Sequence, residues 1–106
     1  PIEVEVTFEA QINANVKGAI VHAVADGAIA NANVKDAIAY ADAKGAIANA
    51  KRRGAEAHAN VEGAEAYADA EGAKAYANAD GAEAYANAPG AEIHATVPGA
   101  LAIPLS

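Results

Sequence analysis

Glycine recurs at a spacing of nine residues along this chain, and that period constrains the fold more than any other feature. It stands at Gly18, Gly27, Gly45, Gly54, Gly63, Gly72, Gly81, Gly90 and Gly99, and Asp36 fills the one gap in the series. Counted from each glycine as position one, the units read GAIVHAVAD, GAIANANVK, DAIAYADAK, GAIANAKRR, GAEAHANVE, GAEAYADAE, GAKAYANAD, GAEAYANAP and GAEIHATVP, followed by GALAIPLS and preceded by EAQINANVK. Self-similarity at a short fixed period is the mark of an architecture built by stacking one unit on the next.

Within a unit, positions two, four, six and eight are Ala with occasional Val or Ile, while positions three, five and seven carry mostly Glu, Lys, Tyr, His, Asn and Asp. Alternation with period two is the pattern of a strand with one buried face, and it assigns position eight to the inside with the other even positions. Alanine is the best helix former, so a helix is the rival reading. Tyr67, Tyr76 and Tyr85 lie nine apart, about two and a half helical turns, and would alternate sides without forming an apolar stripe. A glycine in every unit would also cost a helix about 1 kcal/mol apiece. The chain therefore reads as all-β.

Positions nine and one form the corner between strands. Glycine supplies positive φ at that point, and Asp is among the few other residues that tolerate it. The strands can double back as an antiparallel β-meander, or turn through an arc and stack as a parallel β-solenoid with two nine-residue units per 18-residue coil. Pro89-Gly90 and Pro98-Gly99 suit a type II turn, whereas two-residue hairpins prefer the primed types. At a separation of 18, Asn13, Asn31 and Asn49 align, followed by Tyr67 and Tyr85; on the other face His22, Tyr40, His58, Tyr76 and His94 alternate. Glu56, Lys74 and Glu92 then stack with opposite charges adjacent, although Glu65 falls over Glu83. Cross-strand pairs of this kind contribute roughly 0.2 to 1 kcal/mol each. The expected object is a thin parallel solenoid, a β-roll with an alanine-lined core, and the meander is the alternative. Residues 9–98 form the repeat, 1–8 an N-terminal capping strand with Ile2, Val4, Val6 and Phe8 alternating, and 99–106 a C-terminal capping strand closed by Leu101, Ile103, Pro104 and Leu105.

Composition narrows the function. Of the 106 residues, 54% are hydrophobic, but most of these are alanine; there is one Phe and no Trp, Met or Cys, so large buried side chains are scarce. The net charge of −7 argues against nucleic acid, which needs a basic face to displace counterions. The absence of cysteine removes disulfides and thiol chemistry. No run of about 18 apolar residues is present to cross a membrane, and the amino terminus does not read as a signal peptide. The chain is expected to be a soluble, mature product. Its location stays open, compatible with recombinant expression in a cytoplasm.

The nonapeptide spacing resembles that of the calcium-binding β-roll family, whose units use two glycines and an aspartate to build each ion site. Units such as GAEAYANAD have one glycine, and the ligand position is variously Val24, Asn33, Asp42, Lys51, Asn60, Asp69, Asn78, Asn87 or Thr96, so no calcium, other metal or cofactor is expected. His22, His58 and His94 would sit two coils apart, roughly 9.6 Å, too far to share one ion. Ser106 is the only serine, and the carboxylates occupy repeat-equivalent positions without asymmetric pairing, so an enzyme is not expected. The basic cluster Lys51-Arg52-Arg53 places Arg52 at an inward position; it is read as a corner bulge with the arginine turned out, the other reading being an anion or partner site. Thr occurs only at 7 and 96, which disfavours a regular ice-binding row.

One asymmetry is not required by folding. Position three is Ile20, Ile29, Ile38 and Ile47 in successive units, then Glu56, Glu65, Lys74, Glu83 and Glu92. If position three faces solvent, the isoleucines are a candidate partner contact, against simple strand propensity on an outer surface. As a whole, the near-identical units, bland outward residues and purpose-made end strands resemble de novo designed repeat proteins. That resemblance implies a structural scaffold that can self-assemble, as a homo-oligomer through its end strands or its Ile-bearing coils. The alternative is a binding module that offers its flat ladder faces to a protein partner, ice or a mineral.

Overall fold

The computed structural model describes residues 3–6 and 11–104. Its strands are β1 (Glu3–Val6), β2 (Gln11–Ala14), β3 (Ile20–Ala23), β4 (Ile29–Ala32), β5 (Ile38–Ala41), β6 (Ile47–Ala50), β7 (Glu56–Ala59), β8 (Glu65–Ala68), β9 (Lys74–Ala77), β10 (Glu83–Ala86), β11 (Glu92–Ala95) and β12 (Leu101–Ile103). Odd-numbered strands form one six-stranded sheet and even-numbered strands another, in the orders β1-β3-β5-β7-β9-β11 and β12-β10-β8-β6-β4-β2. Every pairing is parallel, and those from β2 onward hold a separation of 18, as in Asn31 with Asn49 and His58 with Tyr76. The molecule is thus a parallel β-solenoid with two strands per coil, and the antiparallel meander is excluded.

The corner explains the choice. In each unit the amide at position two donates to the carbonyl of position eight, for example Ala28 to Ala25 at 3.0 Å and Ala55 to Arg52 at 3.0 Å. This closes a four-residue turn with the glycine third. Gly27 has φ of 79° and Gly90 of 80°, while Asp36 is the only non-glycine among the described residues with positive φ. Positive φ at the third position alone defines a type II turn, which sends the chain onward to the opposite sheet instead of back along the same one. Corner glycines also bond along the stack, as in Gly63 to the carbonyl of Gly81. A second constraint adds to φ: a Cβ on Gly72 would lie 2.7 Å from Cγ of Arg53, because the position-nine side chain of one coil lies over the glycine of the next.

Position eight is corrected by this geometry. It opens the turn, so Ala25, Val34, Val61 and Ala79 are only half-buried where they pack against the core and Arg52 is exposed, while the fully sealed alanines come from positions two, four and six. Arg52 needs no bulge: its turn closes like the others, and its guanidinium donates to the Lys51 carbonyl at 2.9 Å. The first coil departs from the repeat in a different way, since Glu3 pairs with Ile20, a separation of 17. Ile2, Phe8 and Leu105, invoked for the end caps, lie outside the described residues.

The core is a double layer of alanines, from Ala28 to Ala84 without measurable exposure, and among the described residues Val21 is the only larger apolar side chain sealed within it. A methyl group is worth on the order of 0.8 kcal/mol when buried. Its more important consequence is approach: facing strands such as β4 and β5 come within 8 Å, Cα to Cα, against about 10 Å for ordinary stacked sheets. The whole molecule measures 31 × 26 × 18 Å.

Candidate functional site: the ladder faces

Because positions three, five and seven point outward in the same register on every coil, each becomes a column running along the stack. On the odd-strand sheet, position five is an uninterrupted aromatic column. His22, Tyr40, His58, Tyr76 and His94 stack with ring centroids 4.6, 4.9, 4.6 and 5.0 Å apart, and no pair departs from parallel by more than 20°. On the even-strand sheet the column is divided. Asn49 donates to Asn31 at 2.8 Å and Asn31 to Asn13 at 3.0 Å, after which Tyr67 and Tyr85 stack at 4.8 Å. Asn31 is the one buried polar residue of the chain's described part, at 1% exposure, and its amide is bonded on both sides.

Position seven supplies a second set of ladders. Asn60 donates to Asp42 at 2.9 Å, Asn78 to Asn60 at 2.7 Å, and the Thr96 hydroxyl to Asn78 at 2.8 Å. On the other face Asn33 donates to Asn15 at 2.9 Å and Asn87 to Asp69 at 2.7 Å. Every donor belongs to the later coil. Diagonal bonds join the columns, since position five reaches position seven one coil on: His22 with Asp42 at 3.0 Å, and Asn78 donating to His58 Nδ1 at 3.2 Å.

The two histidines are consequently in different states of bonding. Nδ1 of His58 accepts from Asn78, which leaves its ring proton on Nε2, facing Glu56 at 3.2 Å. Both nitrogens of His22 face carboxylates, Asp42 on one side and Glu3 on the other, so both must donate. Burial works against that charge, but the hydrogen bonds to Asp42 and Glu3 outweigh it and raise the His22 pKa above the ordinary imidazole range. On the even-strand sheet Tyr67 donates to Glu65 at 2.5 Å, and Tyr85 donates to Glu83. The bond to Glu83, followed by burial, pushes the Tyr85 phenol up to about 12; burial and then the bond to Glu65 carry Tyr67 higher still. These phenols explain how Glu65 and Glu83 tolerate direct stacking.

The candidate contact residues do not converge. Ile20 pairs with Ile38 on the odd-strand sheet and Ile29 with Ile47 on the even-strand sheet, so they form two half-buried pairs on opposite faces. The stronger apolar exposure lies elsewhere, at Leu101 (52%), Val97 and Ile103 in the last coil and at Val16 (55%). Leu101 and Ile103 were legible as end residues; Val16 and Val97, at a position-eight corner, were hidden by the inward assignment of that position. Glu56, Lys74 and Glu92 fall in one column as expected, yet the Glu56 carboxylate turns to His58. Among the described residues no group of three or more His, Cys, Asp or Glu side chains could hold a metal ion, and no cavity opens. Compared with known proteins, the chain matches no protein-family model, no curated protein and no solved structure.

Proposed function

We propose that this chain is a structural repeat scaffold of the designed nonapeptide kind, with no catalytic role, able to extend by association of its ends. The observation that carries the reading is the direction in which outward chemistry is spent. The Asn columns, the aromatic column and the Asp42 to Thr96 ladder all bond coil to coil along the axis, so the surface residues serve the stack itself. Their removal should then cost stability. His58→Ala, Asn60→Ala and Tyr67→Ala are each expected to lower the thermal midpoint by several degrees, the shift that about 1 kcal/mol produces in a domain of this size. Unchanged midpoints in all three would overturn the scaffold reading.

The last coil supports the association. Ala95 and Ala102 are exposed while the equivalent alanines of the middle coils are sealed, and Leu101 and Ile103 stand beside them. β11 and β12 each end a sheet, and an open strand edge is a template for another chain. Light scattering across a concentration series should show mass growing in steps of 10.5 kDa, and Leu101→Lys with Ile103→Lys should hold the protein at one step. A mass that ignores concentration would remove the association and leave the scaffold.

A further inference from the structure

We propose that the aromatic column of the odd-strand sheet binds elongated, planar aromatic cations laid along the solenoid axis. This goes beyond the scaffold reading, which assigns the column only to holding coils together. The argument begins with shape. Five rings on β3, β5, β7, β9 and β11 form one continuous row, parallel within 20° and spaced by 4.6 to 5.0 Å. Because each ring covers its neighbour's face, the row turns ring edges outward, and a flat ligand lying along it packs across the edges of successive rings, with its charge answered by the carboxylates beside them. The contact repeats at each coil, so a long planar ligand gains with every step while a compact one gains once. Ile20 and Ile38, half-buried at position three beside His22 and Tyr40, add an apolar wall at one end of the row.

Charge selects the ligand's sign. Glu56 reaches His58, Glu92 lies 3.5 Å from His94, and Glu3 and Asp42 together exceed by one the charge of the His22 imidazolium between them, whereas Lys74 is the sole lysine in the position-three column. Burial, and then the carboxylates of Glu56, Asp42 and Glu3, push the Tyr40 phenol up. A cation is attracted to such a row and an anion of the same shape is repelled. The opposite face is a built-in control: its column has two rings, Tyr67 and Tyr85, and both phenols are tied to Glu65 and Glu83.

Thioflavin T, a planar monocation, tests this by fluorescence titration and equilibrium dialysis at a protein concentration where light scattering gives a single chain. Saturable binding is expected. Tyr40→Thr with Tyr76→Thr should weaken it tenfold or more, Tyr67→Thr with Tyr85→Thr should leave it unchanged, and Glu56→Gln with Asp42→Asn should weaken it several-fold. Congo red, planar and anionic, should not bind. Circular dichroism on the same samples reports whether the strands persist; should the double tyrosine variant lose them, the carboxylate variants and the dye pair decide. Absence of saturable binding by folded wild-type protein, equal loss from variants of the two faces, or preference for the anionic dye would overturn the proposal.

Discussion

Asp36 holds φ at 66° where every other described corner of its kind uses glycine. The left-handed region costs a side chain roughly 1 to 2 kcal/mol, less for Asp, and glycine surrenders part of the gain as chain entropy. Its partner Lys17, at 3.9 Å and largely exposed, returns little. Asp36→Gly is therefore expected to stabilise by about 0.5 to 1 kcal/mol in urea unfolding. The histidine of the first coil makes a pH-dependent contribution. Because the folded state raises the His22 pKa through Asp42 and Glu3, the folded protein holds that proton more tightly than the unfolded chain does. The stabilisation is complete below the unfolded value near 6.5 and is lost as pH rises through the folded value. Tyr40 stacks on the ring, and Glu5 is the backbone register partner of His22 on β1. Thermal midpoints should fall between pH 6 and 8 in wild type, and this fall should vanish in His22→Gln. At the alkaline end Tyr85, with its pKa near 12, keeps its proton after the unfolded phenol has lost it near 10, so stability declines between those values. Absorbance titration should show its late ionisation, and Glu83→Gln should bring it earlier.

At the scale of the element, the turn and the ladder share the task of fixing register. A one-residue slip would exchange the two faces of every strand, and the buried amide of Asn31, bonded above and below, makes slippage costly. Asn31→Asp replaces its donor with a second acceptor facing Asn13, and a cost of about 2 to 3 kcal/mol or more is expected in denaturant unfolding; Asn49→Asp on the half-buried neighbour should cost less. The strands, their period of 18 and the aromatic alternation were legible because glycine spacing and period-two patterning report backbone geometry directly. Position eight was legible only in part, since its apolar residues pack against the core without being sealed in it. Its residues Ala25, Val34 and Val61 look like core residues, but the type II turn begins there, and strand alternation stops two residues before the glycine. The diagonal bonds from position five to position seven, which set the state of His22, were equally invisible, since they join residues 20 apart, off the 18-residue period. Nor does any pattern in the sequence mark the shortened first coil, where Glu3 meets Ile20.

The molecule as a whole is defined by thinness. An alanine interior lets facing strands approach within 8 Å, and it leaves no slack for a larger side chain. Ala57→Leu, at a fully sealed site in the middle coil, should destabilise by about 1 to 3 kcal/mol or more, because both sheets must spread along their length. Most of the fold could be read from the repeat, whereas the site could be read only in part: the ladders followed from register, but the four isoleucines looked like one patch until the two sheets placed them on opposite faces. The measurement that bears most directly on this account is backbone proton–proton NOE spectroscopy of the folded chain. The parallel solenoid predicts interstrand amide-to-Hα contacts between residues 18 apart, such as those around Ala57 and Ala75 or Asn31 and Asn49. Antiparallel contacts mirrored across each corner glycine, linking β7 to β8 through backbone hydrogen bonds, would contradict it.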